Sequence, residues 1–162
     1  MRLNRAFVDT PLAPGTRVTL PENAAAHLLR VLRLREGDAC VLFNGDGHDY
    51  GARIVSATRR GGEAEILDAQ AVENESPLRI VLVQGIARGE KMDLILQKST
   101  ELGVAAFIPV SSQRSEVKLD AARAEKRLAH WRTVVASACE QSGRARVPEV
   151  APPDSLEAAV AT

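Results

Sequence analysis

The sequence predicts a small β-barrel over residues 1–72 followed by an α/β domain over residues 73–162. Three observations carry this. Short apolar runs alternate with turn residues throughout the first half. A polar stretch, Glu73-Asn74-Glu75-Ser76-Pro77, then interrupts the chain. Beyond it the apolar pattern runs strand, helix, strand, helix, the order of a parallel sheet with crossover helices.

In the first half, strand-like runs fall at residues 5–8, 16–20, 40–43, 53–55 and 64–67. Asn44-Gly45-Asp46-Gly47 and Gly61-Gly62 supply the positive-φ positions of hairpin turns. Residues 24–35 break the pattern: Leu28, Val31 and Leu32 recur at helical spacing, predicting one short helix that turns these three toward the barrel. In the second half, Ile80-Val81-Leu82-Val83 is a continuous apolar run, expected of a strand buried on both faces. Met92, Ile95, Leu96, Ser99 and Leu102 mark a helix that Gly103 stops. Residues 105–110 form a second buried strand, and residues 121–141 a long helix with an inward stripe of Ala124, Leu128, Trp131, Val135 and Ala138. A third strand is expected at 149–151. Asp154-Ser155-Leu156-Glu157 has the form of a helix start. With so few strands, the second half reads as a domain that stops part-way.

Composition bounds the function. At 162 residues the chain can bury roughly 70% of its unfolded surface. Its 45% apolar and 26% charged residues suit a globular protein rather than a disordered tail or a rod. No apolar run approaches the ~20 residues of a membrane span, and MRLNRAFVDT lacks the apolar core of a secretory signal, so the cytoplasm is expected. Cys40 and Cys139 suggest neither a disulfide framework nor a zinc site. Acidic and basic residues balance at 21 each, so no global basic field points to nucleic acid. The cations are 17 Arg against 4 Lys. Arg is the fork-shaped donor suited to phosphate, though genome composition also favours it.

Gly-rich phosphate loops, dinucleotide fingerprints, zinc-protease and nucleophile-elbow motifs are all missing. The histidines at 27, 48 and 130 are dispersed, which argues against a metal site. Three polar clusters remain. His27, Arg30 and Arg33 form an i, i+3, i+6 ladder along one helix side, either a grip on RNA phosphates or an ordinary solvated face. Lys91, Lys98 and Glu101 share a stripe, with Gln97 one turn before Glu101; an intrahelical ion pair is the simpler reading. Glu140, Gln141 and Arg144 gather where the long helix ends at Gly143, able to read a base edge or merely to finish a helix.

The combination His27…Val31-Leu32-Arg33, Gln97-Lys98-Ser99-Thr100-Glu101-Leu102-Gly103 and Glu140-Gln141-Ser142-Gly143-Arg144…Pro148 closely resembles the bacterial 16S ribosomal RNA uridine-N3-methyltransferases of the SPOUT superfamily. The resemblance implies an N-terminal PUA-like β-barrel that helps bind RNA. It also implies an α/β domain that binds S-adenosylmethionine in a C-terminal trefoil knot and forms a homodimer. By that analogy Lys98, Glu101, Glu140, Gln141 and Arg144 stand near the uridine, and His27, Arg30 and Arg33 contact RNA. The family's Gly-Pro-Glu-Gly-Gly cofactor loop has no counterpart in residues 1–162, so the cofactor residues are expected beyond residue 162. The 162-residue chain by itself is then expected to be inactive. A non-catalytic RNA-binding module is the alternative; a nicotinamide-dependent oxidoreductase is disfavoured because no dinucleotide loop exists.

Overall fold

The computed structural model describes residues 2–111 and 120–161. The chain divides into two compact units, Met1–Asn74 with Gly143–Arg146, and Glu75–Ser142 with Val147–Thr162.

The first unit contains β1 (Arg5–Phe7), β2 (Arg17–Thr19), α1 (Glu22–Ala25), a π-helical segment (Ala26–Val31), β3 (Ala39–Phe43), β4 (His48–Thr58) and β5 (Gly61–Ala71). Its strands form one sheet in the order β1-β3-β4-β5-β2, with β1 parallel to β3 and the other pairs antiparallel. Cys40 and Leu42 of β3, Tyr50, Ala52 and Ile54 of β4, and Ala64 and Ile66 of β5 are buried. This period-2 face packs on Leu28. Gly45 and Gly47 take φ of 95° and 93° before β4, as the turn reading requires. The pairing of β4 and β5 is longer than the short strands expected, at eleven residues each. Register shifts at Gly51/Ala52 and Ile54/Ser56 interrupt its alternation.

The helix at 24–35 differs from expectation. A single α-helical turn passes into a π segment, seen in the bond from Leu32 N–H to the His27 carbonyl (3.0 Å), and the helix ends at Val31. A π-helix turns less per residue than an α-helix. Leu28 is therefore fully buried and Leu32 half-buried, while Val31, expected to face the core, is 70% exposed.

The second unit contains β6 (Val81–Gly85), α2 (Gly89–Leu102), β7 (Ala106–Ser111), α3 (Ala121–Ser142), β8 (Glu149–Val150), β9 (Asp154–Ser155) and α4 (Leu156–Val160). β7 is central: β6 pairs with it on one side, β8 and β9 on the other, all parallel. Met92, Leu96, Phe107, Trp131, Val135 and Val150 form the core. The stripe predicted on α3 faces it through Trp131, Val135 and Ala138, with Ala124 and Leu128 half-buried. On α2 the buried positions are Met92, Leu96 and Thr100, while Leu102 is 85% exposed because it leaves the stripe at the helix end. Gly103 stops α2 at φ 104°, with Gly103 N–H bonded to the Thr100 carbonyl and Val104 N–H to that of Ser99. At α4 it is Ser155 that caps, its Oγ accepting from Ala158 N–H at 3.1 Å.

β6 departs from the two-face burial expected of it. Its residues alternate between exposed and half-buried, with Val81 and Val83 on the exposed side and Leu82 packed on the core. Burial on both faces needs cover on both, and an apolar run alone does not reveal how many faces are covered.

Candidate functional site

On the first unit, the predicted ladder is rearranged by the backbone. His27 is half-buried, whereas Arg30 and Arg33 are exposed. Arg30 pairs with Glu22 of α1. Arg33 lies beyond the helix at φ 57°, the only non-glycine at positive φ among the described residues. Wider π turns and this reversal remove the i, i+3, i+6 alignment, so the three side chains do not form one straight edge.

On the second unit, four of the predicted residues share one end of the layer. Because β6 and β7 are parallel, α2 and α3 both return against the strands and finish at the same end. Glu101 occupies the last turn of α2 with Lys98 three residues before it, and Glu140 and Gln141 occupy the last turn of α3. Lys98 Nζ lies 3.4 Å from Glu101 Oε2, and Gln97 Nε2 lies 3.5 Å from Glu101 Oε1. The ion pair expected from spacing is thus present. Glu140 is half-buried and Gln141 exposed. A further link between the helices escaped the sequence reading: His130 Nε2 meets Asp93 Oδ2 at 2.9 Å, across 37 positions. Nothing local to either residue signals the other.

The remaining predicted residue, Arg144, belongs to the short stretch that packs with the first unit. Gly143 takes φ 86° just after α3, and its carbonyl accepts from Asn74 Nδ2 at 3.1 Å. Arg144 is buried, and its carbonyl accepts from Arg5 Nη2 at 3.0 Å. Ala145 accepts from Gly47 N–H at 3.2 Å. A Cβ at Gly47 would come within 2.8 Å of the Arg146 guanidinium, the movable end of an exposed side chain, so it is the backbone at φ 93° that favours glycine there.

Beside this stretch, the turn before β4 carries the most perturbed titrating pair. The Tyr50 hydroxyl donates to Asp46 Oδ2 at 2.5 Å, and the His48 amide to Asp46 Oδ1 at 2.9 Å. The bond to Asp46, with burial behind it, pushes Tyr50 up to about 12. Burial opposes ionisation of Asp46, but the Tyr50 and His48 contacts outweigh it and hold the carboxyl below its ordinary value. Burial pushes the Cys40 thiol up to about 11, and both cysteines are buried and outside any disulfide. Among the described residues, no three His, Cys, Asp or Glu side chains gather as metal ligands, and no helix is long and apolar enough to cross a membrane.

Residues 74–162 match the family described as RNA methyltransferase domain, and residues 20–67 that described as RNA methyltransferase PUA domain. The chain belongs to the RNA methyltransferase family. Its fold class is accordingly α/β with an N-terminal PUA-like domain, as predicted. It is 34% identical over 124 residues to the ribosomal RNA small subunit methyltransferase E of Bacillus subtilis, covering 76% of this chain and 48% of that one. It is 31% identical to the protein of that name from Buchnera aphidicola, covering 96% and 63%. Among solved structures, a ribosomal RNA small subunit methyltransferase E from Neisseria gonorrhoeae bound to S-adenosyl methionine is 46% identical, with a TM-score of 0.93 over 98% of this chain and 65% of that one. A Legionella pneumophila protein with bound SAM is 35% identical, with a TM-score of 0.95 over 99% and 66%. The chain spans about half to two thirds of the length of these relatives.

S-adenosylmethionine is the cofactor of this family. An adenosyl group needs an apolar slot with a few convergent polar groups. The polar residues at the ends of α2 and α3 are instead exposed or half-buried, and Lys98, Gln97 and Glu101 engage one another. These residues, expected near the uridine rather than at the cofactor, supply no such slot.

Proposed function

We propose that these residues belong to an S-adenosylmethionine-dependent enzyme that methylates N3 of a uridine in 16S ribosomal RNA of the small subunit. The observation that carries this reading is the likeness to the Neisseria gonorrhoeae enzyme across nearly the whole chain, at 46% identity. The Q-K-S-T-E-L-G and E-Q-S-G-R segments point to the uridine. When bound, the cofactor supplies an electrophilic methyl carbon.

The uracil imide is a weak acid, and its N3 becomes a good nucleophile only as the proton leaves. Glu101 or Glu140 accepts that proton in this reading. The Lys98 ammonium, 3.4 Å from Glu101, offsets charge left on the uracil carbonyls. Gln141, with both donor and acceptor, suits the base edge. Arg144 has a buried guanidinium, so we assign it to positioning the turn after α3. His27, Arg30 and Arg33 of the first unit contact the RNA backbone. The working enzyme is a homodimer in the cytoplasm, where small subunits are its substrate.

The 162-residue chain alone is expected to bind RNA without transferring methyl groups, since positioning one reactant without the other yields no effective molarity. Calorimetric titration with S-adenosylmethionine and labelled-methyl transfer to small-subunit RNA, run on this chain and on one extended to its relatives' length, test the reading. Turnover by the longer chain alone, with the label at uridine N3, is expected. Labelling at any other atom overturns the N3 assignment, and turnover by the short chain overturns its inactivity.

A further inference from the structure

Outside the predicted residues, the first unit has a narrow cleft where the helical segment meets the tip of the β4–β5 hairpin. Glu22, Leu29, Arg30, Thr58, Arg59 and Arg60 are among its lining residues. We propose that this cleft is a phosphodiester-binding site for RNA, gripped by Arg30, Arg59 and Arg60. The proposal rests on the RNA substrate proposed above and adds Arg59 and Arg60, which the motif resemblance does not contain, to Arg30, which it does.

Charge is the first argument. Three arginines are among the lining residues against one acidic residue, Glu22, which pairs with Arg30. Arg59 and Arg60 are exposed, and no carboxylate pairs with either among the described residues. Guanidinium forks match phosphate oxygens two at a time, which a lysine cannot do. Size and lining are the second argument. The cleft has a volume of about 10 Å³, room for roughly one water molecule and far below the range for a small organic ligand, so a phosphate would lie across its mouth. No aromatic side chain lines it, so it has no platform for stacking a base. A backbone phosphate needs neither.

The third argument is preorganisation. Thr58 Oγ1 donates to the Gly61 carbonyl at 3.1 Å and accepts from Arg60 N–H at 3.2 Å, fixing the hairpin tip. Gly61 takes φ 139°, which favours glycine. At Gly62 a Cβ would lie 2.4 Å from the Ser56 carbonyl oxygen and 2.8 Å from Leu29 Cδ1. The Ser56 contact lies within the hairpin, so only glycine lets its two strands close there, and the Leu29 tip beside it brings the helical segment next to Arg59 and Arg60. Fixing the backbone that carries Arg59 and Arg60 before binding lowers part of the ordering cost.

Fluorescence anisotropy with a labelled single-stranded fragment of 16S ribosomal RNA, across a salt series, tests this on the whole chain. R59Q/R60Q is compared with R17Q/R53Q, which removes equal charge from the exposed arginines opposite Glu65, on β2 and β4. R59Q/R60Q should weaken binding and lower the log-affinity against log-salt slope by about 1.4, the loss of two single-strand phosphate contacts. R17Q/R53Q should lower it by much less. Glu22→Gln, which releases Arg30, should tighten binding. If the unaltered chain binds and R59Q/R60Q matches it in affinity and slope, or if R17Q/R53Q loses as much, the cleft is overturned and RNA binding stands. If the unaltered chain binds no RNA, both readings fall.

Discussion

Arg5 Nη2 donates to the main-chain carbonyl of Arg144 at 3.0 Å, joining residues 139 positions apart within one compact unit. The same guanidinium meets Asp49 Oδ1 at 2.7 Å and lies 4.2 Å over the Phe43 ring, with Arg5 only 7% exposed. One buried cation thus ties the strand that opens the sheet to the stretch that follows α3.

Removing it should be costly. Arg5→Met keeps an apolar side chain but strands the Asp49 carboxylate and the Arg144 carbonyl. Asp49 retains some solvent, so a loss of about 2–3 kcal/mol is expected. Urea unfolding with a probe in the first unit measures it. A midpoint unchanged from the unaltered chain would remove Arg5 from the account of how Gly143–Arg146 is held.

The Tyr50–Asp46 bond predicts pH dependence at both ends. Tyr50 has its folded value raised to about 12, above the ordinary value of about 10. Its contribution to stability is therefore full below pH ~10 and disappears as pH rises through about 12. Asp46 is held below its ordinary value. Its contribution is present above the unfolded pKa, about 3.9, and is lost as pH falls through the lower folded value. Tyr50 is the only tyrosine in the chain, so ultraviolet titration should show a single tyrosinate with a midpoint near 12. A midpoint near 10 would show that the bond does not persist in solution. Tyr50→Phe should raise the Asp46 pKa, read by carboxyl NMR.

Gly62→Ala should destabilise the first unit by about 1–3 kcal/mol, because the added methyl meets the Ser56 carbonyl as well as Leu29. Gly15→Ala is the useful contrast. At that site the space is open, and only the backbone at φ 83° is strained. If thermal melts ranked Gly15→Ala as more damaging than Gly62→Ala, the close approach of Gly62 to the Ser56 carbonyl would not be the controlling term.

Local chemistry made much of the fold legible. The stripe of Trp131, Val135 and Ala138 needed only helical periodicity, and the stop at Gly103 only a residue that tolerates a left-handed backbone. The strand–turn–strand reading around Gly45 and Gly47 rested on the same freedom. The polar residues at the ends of α2 and α3 were legible too, because spacing along a helix fixes which end a residue occupies.

What tertiary structure decided were the relations that no short window of sequence contains. The i→i+5 bond from Leu32 to His27 replaces an α-helical one that the same residues make equally well on composition grounds. That choice exposed Val31 and broke the His27, Arg30, Arg33 ladder. Val81 and Val83 read as buried because aliphatic runs usually are, but burial depends on whether another layer covers the strand. Arg144 looked like part of a helix end, yet its carbonyl is held by Arg5 from the opposite end of the chain. Arg59 and Arg60 were two residues of a hairpin turn until the packing of the helical segment on the hairpin set Arg30 in the same cleft. By itself the sequence determined elements and their termini, since backbone freedom and side-chain periodicity act within a few residues. Partnership across tens of residues depends on which surfaces packing brings together, and only the folded chain decides that.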